Sequence, residues 1–223
     1  MEEKEYRAKD GYRDVQTAAD YDMRRYVSLH GRLKNWTKKR AIAKGLSFIG
    51  PIRTVVDMPC GTGRFCDFLS ERGLDVIGAD ISHEMMMVSK NKSAHYPNHL
   101  GYVQCDGENI PFKNESVDCV LSVRFTFHLP PEVRKNVLSE IYRITRRWVI
   151  VDFRYASFKS FVRKSGAFLG IGKEKMRSDL GMISKELSDV GLRVRRIIHV
   201  LPLFSEKVVF VCERDPIRKD GNR

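Results

Sequence analysis

The chain has 223 residues, 42% of them hydrophobic, and 40 Lys and Arg against 28 Asp and Glu give it a formal net charge of +12. That length suits one full-sized core, with or without an appendage, and no apolar run reaches the roughly 18 residues of a transmembrane helix. The five cysteines are odd in number and form no CxxC pair, which argues against a disulfide framework or a zinc site.

The first residues, MEEKEYRAKDGYRD, are charged and lack an apolar secretory core, so a cytoplasmic protein is expected. A helix is predicted from Tyr21 to Lys44, with Tyr26, Leu29, Leu33, Trp36, Ile42 and Leu46 at near-helical spacing. Its polar side carries Arg24, Arg25, Arg32, Lys34, Lys38, Lys39, Arg40 and Lys44 against a single acid, Asp22. Such a face is either simply solvated or an anion-facing lid.

Val55 to Phe65 reads VVDMPCGTGRF, a β-branched pair and an acid running into a glycine turn and then a helix start. Gly61 and Gly63 let the backbone turn sharply and let a ligand lie against the main chain, beside the positive end of the following helix. A dinucleotide site would want a third glycine where Cys66 stands, and Asp57 would repel a pyrophosphate. A ligand with a positive group fits better. S-adenosylmethionine has an adenosine, no phosphate, a sulfonium and an ammonium, and suits an acid beside the turn.

The helix behind the turn is predicted to end at Gly73, and Val76 to Ala79 to form a second parallel strand that ends in Asp80. An acid there can accept both ribose hydroxyls or cap the next helix; the spacing from the glycine turn favours the ribose. Ser82 is expected to cap a helix carrying Met85, Met86 and Met87, a cluster usual in cores. Tyr102 to Gln104 gives a third strand, followed by Cys105, Asp106, Gly107 and Glu108, and Val117 to Val123 a buried fourth.

These stretches, VVDMPCGTGRF, VIGADIS and CDGENIPFKNESVDCVLSV, resemble in order and spacing the motifs of the class I S-adenosylmethionine-dependent methyltransferases. The likeness spans Thr54 to Asp152 and is greatest to the small-molecule branch that includes the quinone-biosynthesis enzymes, the type 11 methyltransferases. It implies an α/β Rossmann-like fold, a seven-stranded, mostly parallel sheet with an antiparallel last strand and an N-terminal helical cap. It also implies a cofactor set of Asp57, Pro59, Gly61, Thr62, Gly63, Asp80, Ile81, Met85, Asp106, Gly107, Glu108 and Ser122. Within that set Asp106 would hold the adenine amine, and Ile81 and Met85 would lie against its ring. A cap could bring Tyr21 and Arg25 to the cofactor or substrate.

Ser122 and the RFTFHL segment end the fourth strand, where ligands of open α/β sheets bind. His128 there reads either as a general base or as a residue that packs or caps the next helix. The helix Glu132 to Thr145 and the strand Trp148 to Phe153 complete a fifth repeat. Residues 157–175 mix aromatic, basic and glycine residues and read as a flap that forms part of a substrate pocket, rests on an acidic membrane surface or packs on the cap. Lys175 to Val190 reads as a helix, and Val194 to Val200 and Lys207 to Cys212 as an antiparallel pair. The expected organisation is a lead-in and cap over 1–50, the methyltransferase domain over 51–213 and a polar tail over 214–223.

Methyl transfer needs mainly alignment of the nucleophile with an activated carbon. The expected acceptor is a small or lipid-linked molecule methylated at oxygen, nitrogen or carbon, served by a soluble or membrane-peripheral enzyme. The charge also suits RNA, although no Asn/Asp-Pro-Pro-aromatic motif for a flipped base is present. A non-catalytic, cofactor-binding partner subunit is the rival from another class.

Overall fold

In the computed structural model, the described residues are 28–155, 179–201 and 206–216. Tyr21, Arg25 and the 157–175 flap lie outside them, as does the tail from 217. Seven strands form one sheet in the order β3-β2-β1-β4-β5-β7-β6. They are β1 Thr54–Asp57, β2 Asp75–Asp80, β3 His99–Gln104, β4 Val117–Ser122, β5 Thr145–Arg154, β6 Leu192–His199 and β7 Lys207–Arg214. All neighbours run parallel except β7, which pairs antiparallel with both β5 and β6.

The helices are α1 Leu29–Ile49, α2 Arg64–Ser70, α3 His83–Ser93, α4 Pro131–Ile144 and α5 Leu180–Asp189, with a short 3-10 turn at Thr126–His128. Because side chains alternate along a strand, each central strand feeds two cores. Val56, Val120, Val149, Val151 and Phe210 meet Leu138 and Ile141 of α4 and Leu187 of α5. Val55, Cys119, Leu121, Ile150 and Val211 meet Ile42 of α1 and Phe65 and Leu69 of α2. Both faces are covered, which explains the near-continuous apolar runs of β4 and β5.

The helix boundaries follow local signals. Met85 N–H donates to Ser82 Oγ at 3.1 Å and Met182 N–H to Asp179 Oδ1 at 2.8 Å, so both N-caps are side-chain oxygens. Helix α4 passes straight into β5 at Thr145, whose hydroxyl donates back to Ile141 O at 2.7 Å, so β5 starts three residues before the predicted Trp148.

Helix α1 departs from its expected stripe. Leu29, Leu33 and Trp36 are exposed, while Lys38 is buried along with Ala41, Ile42, Gly45 and Ile49. The cause is close packing at Gly45, where a β-carbon would come within 3.2 Å of Val211 and 3.4 Å of Ile150. That contact turns the Lys38 face inward, where the ammonium pairs with Asp152. Ala41, Ile42 and Ile49 of this N-terminal helix thus pack as a layer on the sheet.

Candidate functional site

The strand order reverses between β1 and β4, since β2 lies on one side of β1 and β4 on the other. Such a switch point leaves a crevice beyond the carboxyl ends of the strands. Asp57 ends β1, paired with Gly78 of β2 and Leu121 of β4. The chain then turns through Gly61 (φ 53°) and Gly63 (φ 79°), both left-handed, into α2. A β-carbon on Gly63 would lie 2.0 Å from Ser89 Oγ, so only glycine lets the turn seat against α3.

Asp80, at the end of β2, fastens this turn. One carboxylate oxygen accepts from Gly61 N–H at 2.7 Å and the other from Ser82 N–H at 3.0 Å. Burial raises its pKa above the usual carboxylate range, against the opposing pull of those backbone donors. Asp80 thus braces the glycine turn against the start of α3, a role that the sequence offered only as a helix cap. The Ile81 backbone N–H donates to the same carboxylate.

Asp57 is different. It is 1% exposed, its Oδ2 accepts from Cys66 Sγ at 3.5 Å, and its Oδ1 has no partner among the described residues. Burial raises its pKa to about 7, outweighing the Cys66 thiol and the Arg64 charge, both of which lower it. A buried carboxylate with an orphaned oxygen is costly unless a donor or cation arrives.

Pro59, Asp80, Ile81, Asp106 and Gly107 come together with Phe125 to line one cleft, partly open to solvent. Gly107 is again a close approach, since a β-carbon there would meet the Phe125 ring at 3.2 Å. Asp106 Oδ1 accepts from Glu108 N–H at 3.1 Å, and Glu108 is held by Asn136 at 3.0 Å. The IPF segment that follows is anchored from α4, where Ile110 N–H donates to Glu140 and Arg143 donates to Ile110 O and Phe112 O.

The remaining site residues of the sequence reading lie around this cleft rather than in its lining. Thr62 is buried in the turn, Met85 is buried under α3, and Ser122 is fully buried at the end of β4, its Oγ without a partner among the described residues. His128 is exposed at the end of the 3-10 turn, its ring 4.3 Å from that of Phe127.

Sequence reasoning missed a second group at the same end of the sheet. Asp152 of β5 accepts from Lys38 Nζ and, at 2.6 Å, from Arg124 N–H. Arg154 and Lys207 face each other across the β5–β7 register, and Tyr155 hydroxyl lies 3.1 Å from His199 Nδ1. No local pattern marks these residues, because the pairing that assembles them joins distant parts of the chain.

Residues 56–150 match the family model described as a methyltransferase domain. The chain is 26% identical over 147 residues to a demethylmenaquinone methyltransferase of Renibacterium salmoninarum, covering 65% of this chain and 58% of that protein. It is 29% identical over 123 residues to a malonyl-[acyl-carrier protein] O-methyltransferase of Hamiltonella defensa, covering 54% and 44%. The chain thus spans about half the length of the curated relatives it matches. The solved structure of magnesium protoporphyrin IX methyltransferase from Synechocystis PCC 6803 with bound S-adenosylhomocysteine shares the fold, with a TM-score of 0.75 at 19% identity over 93% of this chain and 98% of that one. The matched stretch runs from β1 into β5 of the seven-stranded sheet, so this part of the chain is similar to the methyltransferase domain family.

Proposed function

We propose that the protein transfers a methyl group from S-adenosylmethionine to an oxygen, nitrogen or carbon of a small or lipid-linked acceptor. The observation that carries this reading is the orphaned, buried Oδ1 of Asp57 beside a glycine turn. A cationic ligand relieves that group, whereas a pyrophosphate would worsen it. Bound there, S-adenosylmethionine supplies a methyl group activated by a sulfonium leaving group.

The chain's own residues bind and align. Asp57 takes the positive end of the cofactor, with the backbone of Pro59, Gly61, Thr62 and Gly63 close behind it. Asp80 faces the ribose, and Asp106, Gly107 and Glu108 close the adenine end with Ile81 and Met85. Ser122 sets the floor beneath the reacting centre. Alignment of this kind can lower a barrier by roughly 7–11 kcal/mol, so an exposed His128 serves as an optional base.

The names of the relatives, which concern a quinone precursor and an acyl carrier, support a small or carrier-linked acceptor over RNA. The exposed Leu29, Leu33 and Trp36 share one face of α1 with Arg40, which stacks on Trp36 at 5.3 Å. That face favours delivery of a lipid-linked acceptor at an acidic membrane surface. Among the described residues, no helix is long and apolar enough to cross a membrane.

The test is methyl transfer from radiolabelled S-adenosylmethionine to a panel of quinols, acyl-carrier thioesters, lipids and RNA. Labelling of a small or lipid-linked acceptor, abolished in Gly63→Ala, is the expected result. Labelling of RNA alone would overturn the acceptor class. Tight cofactor binding with no transfer to any of them would favour the partner-subunit reading.

A further inference from the structure

The carboxyl end of the sheet carries a second orphaned group, of the opposite sign. Arg154 is the last residue of β5, and its Nε is shielded from solvent without a hydrogen-bond partner among the described residues. Its guanidinium carbon lies 5.0 Å from the centre of the Phe127 ring. Arg214 also has a buried, unpaired Nε, but its Nη2 is neutralised by Glu115 at 2.9 Å. Among the described residues, Arg154 has no such acid.

The surroundings of Arg154 are cationic. Asp152, two residues earlier on β5, already serves Lys38 and Arg124 N–H. Lys207 lies opposite Arg154 in the β5–β7 register, and its pKa is lowered to about 8, first by burial and then by the charges of Lys38 and Arg154. Lys34 adds to that repulsion. An excess of positive charge held partly out of water is unfavourable unless an anion joins it.

Position makes this group relevant to the chemistry. Strand β5 lies two strands from β1, about 10 Å at the usual strand spacing. Phe127, on which Arg154 stacks, belongs to the same loop as Phe125 of the cofactor cleft. A guanidinium fork offers paired donors to a planar carboxylate or to a phosphate.

We propose that the methyl acceptor carries a carboxylate or phosphate group, and that Arg154 binds it beside the cofactor cleft. This rests on the methyltransferase reading above and adds the charge of the acceptor to it. The anion neutralises the basic group and fixes one end of the acceptor. Its other end is then free to reach over β4 toward Asp57.

The experiment is a titration of the full chain, at constant ionic strength, with inorganic phosphate and separately with succinate, followed by NMR shifts. Samples saturated with S-adenosylhomocysteine are compared with samples lacking it, and binding of that nucleoside is recorded in each. Arg154→Met keeps the apolar stem and removes the charge; Arg154→Lys keeps a charge without the fork; Arg53→Gln alters an exposed arginine elsewhere.

Saturable binding of phosphate or succinate is expected in wild type and in Arg53→Gln. It should weaken at least tenfold in Arg154→Met and by an intermediate factor in Arg154→Lys, with S-adenosylhomocysteine affinity within twofold throughout. Preference for one probe tells a phosphorylated acceptor from a carboxylated one. Equal anion binding by wild type and Arg154→Met, or none at all, with S-adenosylhomocysteine still bound, overturns this inference alone. Failure of wild type to bind the nucleoside instead overturns the cofactor reading on which it rests.

Discussion

The two halves of the sheet's carboxyl end are built to opposite charge. On the β1–β2–β3 side stand Asp57, Asp80 and Asp106, two of them buried, one with an unpaired oxygen. On the β5–β7 side stand Lys38, Arg154 and Lys207 around Asp152, which is already paired. The acidic half suits a cofactor with a sulfonium and an ammonium, and the basic half suits an anionic acceptor. A chain of net charge +12 therefore need not be read as a nucleic-acid binder. The local arrangement of charge decides more than the total.

The contrast can be broken from either side, and the basic half should show the largest effect on stability. Lys38→Met leaves Asp152 buried without its cation, and loss of one partner from a buried pair costs about 3–5 kcal/mol. Urea unfolding should show that loss. Nucleoside affinity measured under native conditions should stay within about threefold, since Lys38 acts two strands from the cradle.

In the acidic half, Gly63→Ala puts a β-carbon at a left-handed φ of 79° and 2.0 Å from Ser89 Oγ. Strain and overpacking together should cost about 2–4 kcal/mol. S-adenosylhomocysteine binding, measured by calorimetry, should fall below detection while phosphate binding at Arg154 survives.

Asp57→Asn sharpens the contrast, because stability and binding should move in opposite directions. The Asp57 carboxyl has a folded pKa of about 7, above its value of 3.8 in an unfolded chain. Between those values the folded state holds more protons than the unfolded state, so this group makes stability fall as pH rises through that window. Asn removes the penalty. The free variant should gain about 1–3 kcal/mol at pH 8 relative to wild type in thermal unfolding, and little at pH 4, while it loses nucleoside affinity.

The smallest effect is expected at His128. Its ring is exposed and tilted against Phe127, so His128→Ala should slow methyl transfer by less than about tenfold. A positioned general base is worth about a hundredfold or more, and a loss of that size in kcat would assign His128 that role.

The acidic half was the legible one. VVDMPCGTG, the Ser82 cap and the acids after β2 and β3 are local signals, in which a few adjacent residues specify a turn, a helix start or a strand end. The family resemblance that they carry implied the fold, including the antiparallel seventh strand. The second role of Asp80, as the brace between Gly61 and Ser82, was hidden only because it needs the turn and the helix in place together.

The basic half was not legible, because none of it is local. Lys38 looked like one more charge on a solvated face, since nothing near it in sequence announces Gly45 packing on Val211 or Asp152 waiting on β5. Arg154 meets Lys207 only through the β5–β7 register. Pattern reading assigned Leu29, Leu33 and Trp36 to the apolar stripe, and the packing at Gly45 turned them outward.

The most direct test of this account is calorimetric titration of wild type and Asp57→Asn with S-adenosylhomocysteine, which carries the ammonium without the reactive methyl, at pH 6 and pH 8. If the orphaned carboxylate is what receives the cofactor's positive end, wild-type affinity should rise about tenfold from pH 6 to pH 8 as a group of pKa about 7 ionises. The variant should bind more weakly and without that rise. Equal affinity of the two proteins at both pH values, or no binding to folded wild type, would contradict it.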